Sequence, residues 1–179
     1  GLGDKAGALA IDIFLGSPAF KGGIRPGDFV IKLNGKEVKS VDQLVRDVGD
    51  LRSGTTAEFV VIRDGKEQTL SVKIEERDQK NVSDSSKLWP GFVGYELTDE
   101  IRDKLKLDKK QKGVLVTNIT NKPPAVIVGL KSGDIITAVN DVQVTNMREF
   151  YRELSKVKKE VWFDVLREGQ TLSTMRYKF

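Results

Sequence analysis

Apolar residues along this chain keep two rhythms, short runs near period two and a few stretches near period 3.6, with glycine-rich punctuation between them. Residues 8–14 alternate loosely and predict one partly buried strand. Gly16-Ser17-Pro18 predicts a short helix, because serine caps it and proline suits its first position, and Gly22-Gly23 ends it. Pro26-Gly27-Asp28 turns the chain into a strand at 29–33, and Asn34-Gly35 is a tight-hairpin signal before a brief strand around Val38. Ser40 then caps a helix over 41–48, with Val41, Leu44, Val45 and Val48 on one face. Residues 59–63 and 69–74 read as strands joined by Asp64-Gly65.

The pattern lapses over residues 75–87, which are polar and charged with Val82 as the one aliphatic residue, as in a solvated linker. It resumes at Trp89. Residues 92–97 predict a strand, and Thr98 caps a helix over 99–106 with Asp99 and Glu100 at its positive end. A strand at 114–119, a short helix from Pro123-Pro124 to Gly129 and a turn at Gly133-Asp134 lead to a strand at 135–139. Asn140-Asp141 turns the chain, Asn146 caps a helix over 147–157, and strands at 161–167 and 171–179 pair across Glu168-Gly169.

A shift of about 106 residues superposes Gly7, Leu9, Ile13, Pro18, Ala19, Gly23, Gly27, Asp28 and Asn34 on Gly113, Leu115, Ile119, Pro124, Ala125, Gly129, Gly133, Asp134 and Asn140. These are turn and strand positions, where backbone geometry limits the choice of residue. The chain therefore reads as two copies of one fold, mainly β with short capping helices (α+β). The expected division is a first domain at 1–76, a linker at 77–88 and a second domain at 89–179, and 179 residues suffice for two cores.

Composition narrows the chemistry. Thirty basic residues against 26 acidic ones leave a formal charge of +4, and no arginine-rich run is interleaved with aromatics as a nucleic-acid surface requires. No uninterrupted apolar run exceeds four residues, as at 125–128, far short of the roughly 20 needed to cross a bilayer as a helix. There is no cysteine and no histidine, so a thiol nucleophile, a zinc thiolate site and a histidine general base are all absent. Ser17 stands at a helix start, where capping is its expected work. No catalytic residue, metal site or cofactor is expected.

The pattern Gly7-Ala-Leu-Ala, Gly16-Ser-Pro-Ala19, Gly23-Ile-Arg-Pro-Gly-Asp28 and Asn34-Gly35 resembles a bacterial PDZ domain. Gly113-Val-Leu-Val, Pro124-Ala125 and Gly129-Leu-Lys-Ser-Gly-Asp134 repeat it. Two in tandem, with Trp89-Pro-Gly-Phe92 and Leu97-Thr-Asp-Glu-Ile-Arg102 opening the second, resemble the regulatory region of an HtrA/DegP (Do-type) serine endoprotease. That resemblance implies two partly open β-barrels or sandwiches, an upstream protease domain, an extracytoplasmic or periplasmic setting and assembly through the parent protein. The implied task is capture of C-terminal or extended hydrophobic peptides in protein quality control. Alternatives are the PDZ pair of a site-2 membrane metalloprotease and a mainly structural interaction module for assembly.

In a PDZ domain an extended peptide adds a strand to a sheet edge, and a glycine loop receives its terminal carboxylate. The expected binding residues are Gly91, Phe92, Val93, Gly94, Tyr95 and Leu97 on loop and edge strand, with Met147, Tyr151 and Leu154 on the facing helix. The same residues would also serve a plain turn and an ordinary core. Projected onto the first copy, the loop and strand fall about 15 residues before Gly1. Either the polypeptide is cut within that domain or omits something at its start, or another segment or a neighbouring chain fills the place.

Overall fold

Strands in this chain are short because glycine, asparagine and aspartate repeatedly bring the backbone into left-handed turns. Asn34 and Gly35 (φ 48° and 79°) and Asp64 and Gly65 (φ 48° and 76°) close two-residue hairpins, as do Glu168 and Gly169 (φ 49° and 79°). A computed structural model describes residues 6–76, 85–119 and 124–179. Its internal contacts divide the chain into two units, Gly1–Trp89 and Pro90–Phe179.

The first unit runs β1 (Ala8–Leu9), β2 (Ile13–Phe14), α1 (Pro18–Lys21), β3 (Phe29–Leu33), β4 (Lys36–Glu37), α2 (Val41–Gly49), β5 (Thr56–Arg63), β6 (Lys66–Lys73) and β7 (Leu88–Trp89). Its main sheet has the order β1-β3-β5-β6 with β4 paired to β3, and every pairing is antiparallel. Ala8, Val30, Phe59, Val61 and Val72 meet in its core. The expected strand over 8–14 is broken in two. Ala10 is held by the Asp28 carbonyl and by the Gly27 N–H, at 2.8 and 2.7 Å, after which the chain leaves β3 and Ile13 pairs with Trp89.

The second unit runs β8 (Val93–Glu96), α3 (Asp99–Lys104), β9 (Val114–Thr117), α4 (Pro124–Ile127), β10 (Ile135–Val139), β11 (Val142–Gln143), α5 (Met147–Lys156), β12 (Glu160–Val161), β13 (Phe163–Arg167), β14 (Gln170–Ser173) and β15 (Tyr177–Lys178). Here the sheet order is β14-β13-β10-β9-β8, again antiparallel, with β11 on β10 and a separate β12-β15 pair. Both main sheets are open rather than closed barrels. The expected strands over 161–167 and 171–179 are each interrupted. At the break Asn140 Oδ1 accepts the Trp162 N–H at 3.0 Å and Thr174 Oγ1 accepts the Phe163 N–H at 2.9 Å, so side chains replace ladder bonds.

The helix starts follow their caps. Ser17, Ser40, Thr98 and Asn146 each accept the N–H three residues on. The polar stretch 77–84 and residues 120–123, among them Pro123, lie outside the described residues.

Candidate functional site

A furrow in the second unit lies between β8, the last strand of its sheet, and α5. The register explains why that strand has a main-chain edge to offer. Val93 to Glu96 pair with Thr117 to Val114 in order. Val116, opposite Gly94, spends its N–H on the Asp134 carbonyl at 2.8 Å and its carbonyl on the Gly133 N–H at 2.9 Å, both on the β10 side. Hydrogen bonding alternates along an antiparallel pair, so the N–H and C=O of Gly94 point away from β9 and into the furrow.

Glycine is required at that point by its neighbours. A Cβ on Gly94 would stand 2.8 Å from Val114 Cγ1 and 3.3 Å from Met147 Cε. With no side chain there, Met147 lies directly on the backbone at one end of the furrow. Thioethers are flexible, so this end adapts to different occupants.

Of the residues expected to bind, Gly94 and Met147 are neighbours and Tyr151 stands one turn along α5 from Met147, both helix residues half-buried. Phe92 and Leu154 are each 1% exposed and belong to the core. The Phe92 ring packs against Phe150 and Phe163 at centroid distances of 5.9 and 6.2 Å, and the Phe150 and Tyr151 rings lie 5.2 Å apart. Leu97 is likewise in the core. Val93 and Tyr95 contribute main chain to β9, while alternation sends their side chains to the face opposite Gly94. Gly91 adopts φ 79°, turning the chain between Trp89, which belongs to the first unit, and Phe92.

Two clefts of about 720 and 730 Å³ lie elsewhere in this unit, and neither is lined by a residue of β8. The furrow is preferred to both because it alone joins a free strand edge to an apolar wall. Among the described residues no cluster of acidic side chains could hold a metal ion.

Electrostatics fix the start of α5 and brace its far end. Glu149 reaches back to Thr145, accepting from Oγ1 at 2.6 Å and from N–H at 2.8 Å, while Asn146 Oδ1 accepts the Glu149 N–H at 2.9 Å. The Thr145 hydroxyl and then its N–H hold the Glu149 carboxyl below its ordinary range. Burial pushes the Glu153 carboxyl up, and the hydrogen bonds from Lys156 and Arg152 together outweigh it, so that it too titrates low.

Sequence reasoning missed a clasp that appears in both units. Arg167 binds both oxygens of Asp134 at 2.7 Å and donates to the Gly129 carbonyl at 2.8 Å. Arg63 does the same to Asp28 at 2.6 Å and to Gly23 at 2.7 Å. Half of the signal was present in the repeat, since Asp28 recurs as Asp134, but these read simply as turn residues, and Arg63 and Arg167 fall outside the superposed positions. Arg102, half-buried, donates to the Gln111 carbonyl at 2.9 Å and to Asp99 at 2.8 Å.

Comparison with known proteins agrees with the duplication. The PDZ domain family model matches residues 3–74 and again 91–175. The chain is 30% identical over 168 residues to the periplasmic serine endoprotease DegP of Escherichia coli K12, a match covering 94% of this chain and 34% of that protein. To DegP of Salmonella typhimurium it is 32% identical over 150 residues, covering 84% and 30%. It thus spans about a third of the length of these curated relatives. Among solved structures, the HtrA-type protease AlgW with decapeptide aligns over 68% of this chain and 42% of that one, at 19% identity and a TM-score of 0.45. Two family matches on two separately folded sheets leave one conclusion, that this chain belongs to the PDZ domain family and carries the domain twice.

Proposed function

We propose that the Pro90–Phe179 unit captures the C-terminal end of extended apolar peptides by strand addition to β8, and that the chain is the non-catalytic recognition region of a DegP-like serine endoprotease. The observation that carries this reading is the Gly94 main chain, directed into a furrow walled by Met147, with Tyr151 one turn along α5. Main-chain bonds to Gly94 supply affinity for any extended segment, and the apolar wall selects its side chains. The backbone turn at Gly91 is the place for the terminal carboxylate, because a left-handed glycine lets successive N–H groups converge on an anion.

Similarity to periplasmic endoproteases supports a periplasmic setting and a parent protein whose protease domain supplies the chemistry. This chain, without histidine or cysteine, delivers unfolded segments or peptide C-termini to that domain and regulates its activity and assembly into oligomers. No cofactor enters this scheme.

Fluorescence anisotropy with a labelled decapeptide ending in an apolar residue tests the reading. A free carboxylate should bind at least about tenfold more tightly than the amide, the scale of one or two charge-assisted hydrogen bonds. Gly94→Pro, which removes the N–H in the furrow, should abolish the difference. Equal affinity of acid and amide for the unaltered chain refutes capture of a terminus.

A further inference from the structure

The cleft of about 720 Å³ beyond the C-terminal end of α5 is lined by Lys156, Lys158, Lys159 and Lys178, with Val157 and Trp162 as its apolar part. Lys156 is held by Glu153, at 2.8 Å from each oxygen. Lys158, Lys159 and Lys178 are exposed, and their ammonium groups bond to no described residue. Glu160, the one acid in the lining, is engaged elsewhere, accepting from Arg176 Nη1 at 3.3 Å.

Helix chemistry accounts for one of these lysines and not for the rest. A cation in the last turn of α5 is favoured by the helix dipole, which covers Lys156. Lys158 and Lys159 follow the helix, and Lys178 comes from β15, opposite Glu160. The first unit shows that the fold does not need them. Val157 N–H donates to the Leu154 carbonyl at 3.2 Å as Leu51 N–H donates to Val48 at 3.1 Å, so Asp50, Arg52 and Ser53 hold the places of Lys156, Lys158 and Lys159. Glu58 N–H donates to Asn34 Oδ1 at 2.8 Å as Trp162 N–H donates to Asn140 Oδ1 at 3.0 Å, so Glu58 holds the place of Trp162. At this exit the first unit sets acids beside bases, whereas the second gathers lysines around a half-buried tryptophan. Crowded like charges repel and cost stability in the free protein, and an anion among them removes that cost.

We propose that this cleft binds a ligand bearing two or more phosphate groups, held by Lys158, Lys159 and Lys178. The class follows from the donors. Each ammonium is a compact point charge, and no guanidinium lines the cleft to grip a planar carboxylate with two parallel bonds. The charges lie on β15 and on the turn after α5, and so suit separate anionic groups on one molecule. The volume exceeds what one phosphate fills and lies in the usual range for a small-molecule site. The cleft shares neither Gly94 nor Met147 with the furrow, so it stands whether or not a peptide is captured there.

The test adds sodium tripolyphosphate to the isotope-labelled full chain at constant ionic strength and follows the shifts by NMR. The Lys158 and Lys159 amides and the Trp162 indole N–H should move and saturate, while Gly94 and Met147 stay in place. Lys158→Gln combined with Lys159→Ser, serine being what the first unit carries at that turn, should weaken binding about tenfold or more, the scale of one or two charge-assisted hydrogen bonds. It should do so without lowering the melting temperature of the free protein, since both lysines are exposed. Hexaglutamate should bind more weakly than tripolyphosphate. Co-sedimentation with vesicles containing phosphatidic acid, and not with phosphatidylcholine alone, identifies a lipid headgroup as the source of the phosphates; tripolyphosphate binding without sedimentation identifies a soluble one. No saturable shift at millimolar tripolyphosphate, equal shifts with sulfate at matched ionic strength, equal affinity for hexaglutamate, or undiminished binding by the double variant would overturn the proposal.

Discussion

The Asp134 carboxylate is 1% exposed, yet none of its capacity is wasted: Arg167 takes both oxygens and the Lys131 N–H binds Oδ2 at 2.8 Å. The same Arg167 is held charged, its pKa raised first by the hydrogen bonds it donates to Asp134. A buried pair of this kind adds little over apolar packing, but an orphaned member is costly. Arg167→Met should therefore destabilise the second unit by about 3–5 kcal/mol. Adding Asp134→Asn should return part of that loss, because the amide can still accept the Lys131 N–H without a buried charge. Urea denaturation followed by Trp162 fluorescence measures both, and a full additive loss in the double variant would show that the pair is not coupled. Such a clasp escapes a reading of sequence because its two halves are separated by 33 residues and each has an ordinary local explanation.

Helix starts were the most legible elements, since a cap and the first turn lie within a few residues of each other. Strand extents were less so: residues 8–14 share one apolar run, but the Ala10 bonds and the pairing of Ile13 with Trp89 divide it, and both depend on distant chain. The two longer helices show how one device can differ in chemistry. At α2 the box is closed by Gln43, whose Oε1 accepts the Lys39 N–H at 2.9 Å, and at α5 by Glu149. The Glu149 carboxyl is depressed in the folded state from an ordinary 4.5, so its contribution is present above that value and is lost as pH falls through the lower folded value. Glu149→Gln should remove this acid-dependent part of the second unit's stability, while the α2 box, being neutral, should contribute none. Acid titration of both proteins, followed by Trp162 fluorescence and amide exchange in α5, checks this. An unchanged acid profile in Glu149→Gln would count against the assignment.

At the scale of the whole chain, the fold and its duplication were readable because turn glycines and apolar alternation recur together, and the two matched segments follow them. The candidate site was readable only in outline. Gly94 and Met147 stand side by side, whereas the burial of Phe92 and Leu154 in the core, with Phe92 packed on Phe150 and Phe163, depends on distant chain. Duplication also places an internal control beside each residue: Val41 against Met147, Leu44 against Phe150, Gln43 against Glu149. The outer edge of β1 carries one more consequence. Among the described residues no strand pairs with it, and Val41 and Val45 lie exposed on the adjacent α2, a combination that is a template for self-association. Light scattering of concentrated protein should grow with time and protein concentration, and Leu9→Lys should delay it, so shelf life in solution depends on a strand of two residues.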